Sequence, residues 1–97
     1  MIKHLQSVGM ACFVNCFEDF EREAKGRCGR EATKRAMFER GGATTDISAT
    51  TKAACGVWLI KHGHAEAALA AICGSARVPP EVRDGARARL SSLQRKP

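Results

Sequence analysis

The residues of this chain that could do chemistry are first of all its cysteines. Cys12 and Cys16 are four residues apart, so their thiols would converge on one side of a helix, whereas Cys55 and Cys73 stand alone in alanine-rich segments. Structural zinc sites usually contain short cysteine pairs that repeat along the chain, and no such repeat is present. An odd total of five cysteines also argues against a disulfide framework. We therefore predict no metal site and no cofactor, and we interpret the cysteines as small buried hydrophobic residues.

Catalytic motifs would be the second source of chemistry. The sequence has no GxxxxGK phosphate-binding loop, no HExxH motif, no nucleophile elbow and no tyrosine. The carboxylates of FEDFERE, residues 17–23, could act as an acid and a base only inside a cleft, and the pattern predicts an exposed helix end. His4, His62 and His64 are interpreted as surface or helix-capping residues. We therefore expect a protein that is not an enzyme.

The elements that position these residues are predicted to be helices. A chain of 97 residues, 44% of them hydrophobic, is the size of one domain with one modest core, here residues 1–97. Apolar residues recur at helical spacing, which predicts an all-α fold of about five short helices. These run over about residues 7–23, 30–40, 45–62, 64–73 and 78–94, with a frayed tail after about residue 94.

The first predicted helix is the hydrophobic anchor of the fold, and Ser7 is its expected cap. Its inward stripe consists of Met10, Phe13, Val14, Phe17 and Phe20. The inward stripe of the third predicted helix consists of Ala53, Ala54, Val57 and Ile60.

The segment RGGATTDISATTKAA, residues 40–54, has features of a helix-turn-helix. The second predicted helix would brace a third helix that enters the major groove, with Ala36 and Ile47 in the core between them. Two departures are visible: the turn is longer than usual, and the third helix has no Arg, Asn or Gln to read bases. The alternative is a glycine-rich connection followed by an ordinary capped helix.

The basic residues are the basis for the function that we expect. The net charge is +6 and the pI is about 9.4, which favours an anionic partner. Cations flank the second and last predicted helices, whereas acidic residues gather at the end of the first. We expect a DNA-binding or RNA-binding regulatory or accessory protein, with DNA as the first candidate. The expected phosphate contacts are Arg27, Arg30, Lys34, Arg35 and Lys52, and the expected base contacts are Thr45, Ser48 and Thr51.

Two alternatives use the same residues. A protein-interaction module, such as an adaptor, an inhibitor or a homodimer, would use the polarised charge against an acidic protein surface and an apolar patch around Trp58. A solvated helical surface would instead neutralise its charges within the chain, for example by pairing Glu31 with Arg35.

The sequence does not show the patterns expected of a secreted or a membrane-spanning protein. The first residues, MIKHLQSVGMACFV, lack the pattern of a secretory signal, and no apolar run approaches the roughly 20 residues that a membrane span needs. We therefore expect a cytoplasmic protein without a membrane partner and with reduced thiols.

Overall fold

The computed structural model describes residues 2–94 and contains helices and no strand in that range. The predicted all-α class is therefore confirmed. The helices are α1 (Ile2–Val8), α2 (Met10–Asn15), α3 (Phe17–Ala24), α4 (Arg30–Glu39), α5 (Asp46–Lys61), α6 (Ala65–Cys73) and α7 (Pro80–Gln94). The frayed tail expected after residue 94 lies outside the described residues.

The prediction of one continuous helix over residues 7–23 is wrong. Ser7 lies inside α1 and is not a cap, and Gly9 separates α1 from α2 with a φ of 83°, a conformation that side chains other than glycine rarely adopt. Cys16 separates α2 from α3 because its backbone departs from helical geometry, at φ −108° and ψ 14°. The hydrogen bonds from Cys16 N to Cys12 O and from Phe20 N to Cys16 O nevertheless continue across this break. Backbone breaks therefore raise the number of helices above the expected five.

The predicted phenylalanine stripe does form the core. Phe13, Val14, Phe17 and Phe20 are buried, and Met10 packs against them from the edge. The helix α5 lies at the centre of the fold and contacts α1, α3 and α4, while α6 packs on α7 and α7 packs on α2. Burial of this apolar surface is the main source of stability.

Glycines inside helices set how closely these helices approach. A Cβ atom built on Gly56 of α5 would lie 2.6 Å from the ring of Phe20 in α3. A Cβ atom on Gly85 of α7 would lie 3.0 Å from Val14 Cγ1 in α2. The ring and the valine methyl group therefore pack directly on helix backbone, and both positions favour glycine.

The central helix begins and ends where its capping signals predict, but its buried face differs from the prediction. The hydroxyl of Thr45 accepts a hydrogen bond from Ser48 N at 3.1 Å and caps α5, which ends at Lys61. Ala54 is exposed, and so is Ile47, so both were wrongly assigned to the interior. Ala43, in the connection before the helix, occupies the core in place of Ile47.

Candidate nucleic-acid interface

The proposed interface is built on α4 and α5, which pack against each other and are joined by residues 40–45. Gly41 has a φ of 73°, and Gly42 N donates a hydrogen bond to Met37 O at 2.8 Å, which closes the C-terminal end of α4. Ala43 then enters the core. The connection is therefore longer than the usual helix-turn-helix turn and is itself packed against the protein.

The three predicted base contacts lie at the start of α5 and differ in exposure. Thr45 and Thr51 are exposed and Ser48 is half-buried. The hydroxyl of Thr50 donates to Asp46 O at 2.9 Å and is occupied by its own helix. Ile47, 81% exposed, adds an apolar side chain to the same turns.

Lys34, a predicted phosphate contact, points toward the protein instead of toward solvent. Its Nζ atom lies 2.6 Å from Asp46 Oδ1 and 3.4 Å from Glu31 Oε1, and the residue is only 7% exposed. The hydrogen bond with Asp46 is the main reason that the pKa of Lys34 is raised. This ion pair ties α4 to the first turn of α5.

Arg30 and Lys52 also have partners within the protein. Arg30 donates from Nε and Nη2 to the carboxylate of Glu23 at 3.0 and 2.8 Å. Burial raises the pKa of Glu23, but the hydrogen bonds from Arg30 and Thr33 outweigh it and hold this pKa below its ordinary value. Lys52 Nζ donates to the backbone oxygen of Gly42 at 2.8 Å. Both cations would have to exchange these partners to contact a phosphate.

Arg27 and Arg35 are the two predicted phosphate contacts that remain accessible. Both are exposed, and neither forms an ion pair with another residue in the range 2–94. The intrachain pair between Glu31 and Arg35 that the sequence suggested is not formed, because Glu31 faces Lys34. The side chain of Arg35 instead borders a groove of about 190 Å³ between α4 and the start of α5.

The acidic residues of α3 have cationic partners, and the predicted exposed acidic helix end is wrong for Asp19, which is buried, whereas Glu18 is exposed. Asp19 is only 1% exposed and is held by Arg22 and by Arg40, whose Nε atom lies 2.7 Å from Asp19 Oδ2. Packing buries this carboxylate because it follows the core residue Cys16 by less than one helical turn. The other acidic residues of α3 pair as Glu18 with Arg89, Glu21 with Lys25 and Glu23 with Arg30.

The charge that remains unpaired within residues 2–94 is mainly positive. Among the described residues, the cations without an ion pair are Lys3, Arg27, Arg35, Lys52, Lys61, Arg77 and Arg83. In the same part of the chain, the acidic residues without one are Glu39, Glu66 and Glu81. The sequence alone did not reveal this balance, because Glu18 pairs with Arg89 and Asp19 pairs with Arg40, and these partners are distant in the chain.

Trp58, the centre of the alternative interface, is surrounded by imidazoles. The ring of His4 stacks on it at 3.7 Å between centroids, and those of His62 and His64 lie at 4.4 and 5.2 Å. The indole is half-buried in consequence. In the described part of the chain, the large hydrophobic residues exposed to solvent are Phe38, at the end of α4, and Ile47.

Comparison with known proteins gives no further guide, because no family model, no curated protein and no solved structure matches this chain. Among residues 2–94, no helix is both long and apolar enough to cross a membrane. Over the same residues, no three His, Cys, Asp or Glu side chains are grouped as metal ligands would be.

Proposed function

We propose that this chain is a non-enzymatic nucleic-acid-binding protein, with DNA as the first candidate, that contacts phosphates through cations left without carboxylate partners. The proposal rests on one observation: among the described residues, more cations than acidic residues are left without an ion pair. The acidic residues of α3 are engaged by arginines and lysines, so they offer little repulsion to a polyanion. Within residues 2–94, the excess positive charge therefore resides on cations without a carboxylate partner, and it attracts a phosphate backbone.

Arg27 and Arg35 are the primary phosphate contacts of this proposal. Arg27 lies just before α4 and Arg35 lies in the middle of α4, and both are exposed. Lys34 acts indirectly, because its pair with Asp46 neutralises the one carboxylate in the first turn of α5. Without that pair, the negative charge of Asp46 would oppose a phosphate at this helix end.

The hydroxyl groups at the start of α5 limit what such an interface can read. Thr45, Ser48 and Thr51 can contact phosphates or base edges, but they lack the bidentate geometry by which Arg, Asn or Gln distinguishes bases. Ile47 adds an apolar contact of the kind that suits a thymine methyl group. We therefore expect binding that depends strongly on salt and weakly on sequence.

A salt-dependent titration tests this proposal. Fluorescence anisotropy with labelled duplex DNA, single-stranded DNA and RNA should show binding at about 50 mM salt that weakens steeply as salt rises. Replacing both Arg27→Glu and Arg35→Glu should weaken binding at least tenfold and lower the slope of log K against log salt by about 2. Arg77→Glu with Arg83→Glu is the matched control, because it changes the net charge equally at unpaired cations far from α4 in the chain.

Two results would contradict the proposal. Absence of binding to all three ligands at about 50 mM salt, where phosphate contacts are strongest, would remove the function itself. An equal loss in the two double variants would show that only net charge matters and would remove the assignment of Arg27 and Arg35.

A protein partner is the second candidate, favoured by the exposure of Phe38 and Ile47 on neighbouring helix ends. A second copy of this chain is the simplest such partner. Light scattering would then detect a dimer that Phe38→Ser with Ile47→Thr converts to a monomer. Under the nucleic-acid proposal the protein is the same size before and after this change.

A further inference from the structure

A cleft of about 430 Å³ lies between the turn that joins α1 to α2 and the connection that joins α4 to α5. The cations Arg40 and Lys52 line it, together with Asn15 and the backbone of Gly42. Cys12 also lines the cleft and is 9% exposed, whereas Cys16 is completely buried. Of the two cysteines, Cys12 is therefore the one that a small molecule in the cleft would meet first.

The two sulfur atoms are neighbours beneath Gly42. A Cβ atom built on Gly42 would lie 3.2 Å from Cys12 Sγ and 3.1 Å from Cys16 Sγ, so both thiols pack against the same point of the backbone. Both cysteines are free thiols in this structure. Gly42 therefore allows a close approach of the connection that a side chain at position 42 would obstruct.

The surroundings shift the pKa values of the two thiols in opposite directions. A hydrogen bond from Cys16 is the main reason that the pKa of Cys12 is lowered, and the charge of Lys52 lowers it further against the opposing effect of burial. The same hydrogen bond, together with burial, raises the pKa of Cys16 above its ordinary value. The thiolate, which is the nucleophilic form, is thus favoured at the sulfur that lines the cleft.

We propose that Cys12 and Cys16 form a reactive dithiol whose oxidant is a small hydroperoxide entering through this cleft. Cys12 thiolate attacks the terminal peroxide oxygen, the O–O bond breaks, and the alkoxide or hydroxide takes up a proton and leaves as an alcohol or water. Cys12 is then a sulfenic acid. Cys16 attacks its sulfur, the S–O bond breaks, and the oxygen leaves as water with the proton from Cys16. The two thiols lose two electrons to the peroxide and become a disulfide.

The backbone between the two cysteines suits this second step. Four residues of α-helix span about 6 Å, which lies within the usual 4.4–6.8 Å between the Cα atoms of a disulfide. The Cβ atoms of such a pair, about 5–6 Å apart in a regular helix, have to approach further. The chain already leaves helical geometry at Cys16, so the adjustment falls at an existing break between α2 and α3.

The remaining cysteines serve as internal controls. Cys28, Cys55 and Cys73 are each more exposed than Cys12 and Cys16. Cys28 lies near the Thr33 hydroxyl, and Cys73 is a weak donor to Arg83 O. If exposure alone governed oxidation, these thiols would react first.

Peptide mapping by mass spectrometry after treatment with substoichiometric hydrogen peroxide tests the proposal on the full chain. The peptide that contains Cys12 and Cys16 should lose two hydrogens at least tenfold faster than the other cysteines are oxidised. Cys16→Ser should trap a sulfenic acid at Cys12 that dimedone labels, and Cys12→Ser should leave Cys16 reduced. Lys52→Met should slow the reaction of Cys12, whereas Lys61→Met, at the far end of the same helix, should not.

Earlier oxidation of Cys28, Cys55 or Cys73 would overturn the proposal, and so would an unchanged rate in Lys52→Met. Dimedone labelling of Cys16 in place of Cys12 would reverse the assigned roles. Circular dichroism of each variant separates these outcomes from unfolding. None of these readouts depends on nucleic acid, so the dithiol and the proposed function stand or fall separately.

Discussion

Asp19 shows how strongly one residue can depart from its sequence expectation. Its carboxylate is 1% exposed and joins Arg22, one turn along α3, to Arg40 in the connection after α4. A buried carboxylate is tolerated only when cations and hydrogen bonds compensate for its lost hydration. Here the two guanidinium groups supply both, and Arg40 also links α3 to the connection that lines the cleft.

Replacing Asp19→Asn should therefore destabilise the fold. The neutral amide cannot compensate the charges of the two arginines, so we expect the free energy of unfolding to fall by about 2 kcal/mol. This is less than the roughly 3–5 kcal/mol expected for a wholly buried pair, because both arginines are half-exposed. Urea unfolding at pH 7 measures this loss. Asp84→Asn is the control, because Asp84 and Arg87 form an exposed pair whose removal should cost less than about 0.5 kcal/mol. Equal effects at the two positions would contradict the account of Asp19.

At the scale of helices, the contact between α3 and α5 depends on Gly56. The Phe20 ring lies where a Cβ atom at position 56 would be, at 2.6 Å, and it is completely buried. Glycine is intrinsically a poor helix former, so its presence in the middle of α5 lowers the stability of the helix itself. The same glycine allows the Phe20 ring to pack closely against the helix backbone. The stability gained from packing the Phe20 ring against this backbone outweighs the lost helix propensity, because the ring is completely buried in the core.

Gly56→Ala tests that balance. Alanine should improve helix propensity by about 1 kcal/mol, but overpacking against Phe20 should cost more, for a net loss of about 1–2 kcal/mol. Thermal and urea unfolding measure the loss, and a smaller residue in Phe20→Leu should relieve part of it in the double variant. Gly74→Ala is the matched control, since its Cβ atom would meet other atoms only at 3.8 Å. A stabilised Gly56→Ala variant would show that the ring moves aside without cost.

At the scale of the whole molecule, ion pairs connect different helices. Glu18 of α3 accepts from Arg89 of α7 at 2.8 Å, and Glu23 of α3 accepts from Arg30 of α4. The pKa of Glu18 is lowered chiefly by the hydrogen bond from Arg89. These pairs also leave the surface positive, so the same interactions support both the fold and the proposed function.

Acid should weaken the fold through these carboxylates. Glu18 and Glu23 have folded pKa values below their ordinary value of 4.5, so the stability they contribute is complete above that pH and is lost as pH falls through the folded pKa. Urea unfolding between pH 7 and pH 3 should show a free energy of unfolding that declines below about pH 4.5. Glu23→Gln should be less stable at pH 7 and show a shallower decline. Identical declines in the variant and the natural chain would exclude Glu23 as a source of acid sensitivity.

Local features of the fold were predictable from the sequence. The spacing of Phe13, Phe17 and Phe20 identifies a buried stripe because helical period is a property of neighbouring residues. Glycines after α4 and the hydroxyl of Thr45 mark real helix ends for the same reason. The break at Cys16 was not predictable, because no glycine or proline marks it.

The sequence by itself determined the all-α class, most helix ends, the buried phenylalanines and the positive net charge, since each depends on composition or on residues within a turn or two of one another. Only the tertiary structure decided which cations are free, because Glu18 meets Arg89 and Asp19 meets Arg40 across helices that packing brings together. It likewise decided that the backbone of Gly42 packs against the two sulfur atoms. Such contacts depend on how helices cross, and helix crossing is set by side-chain packing over the whole core.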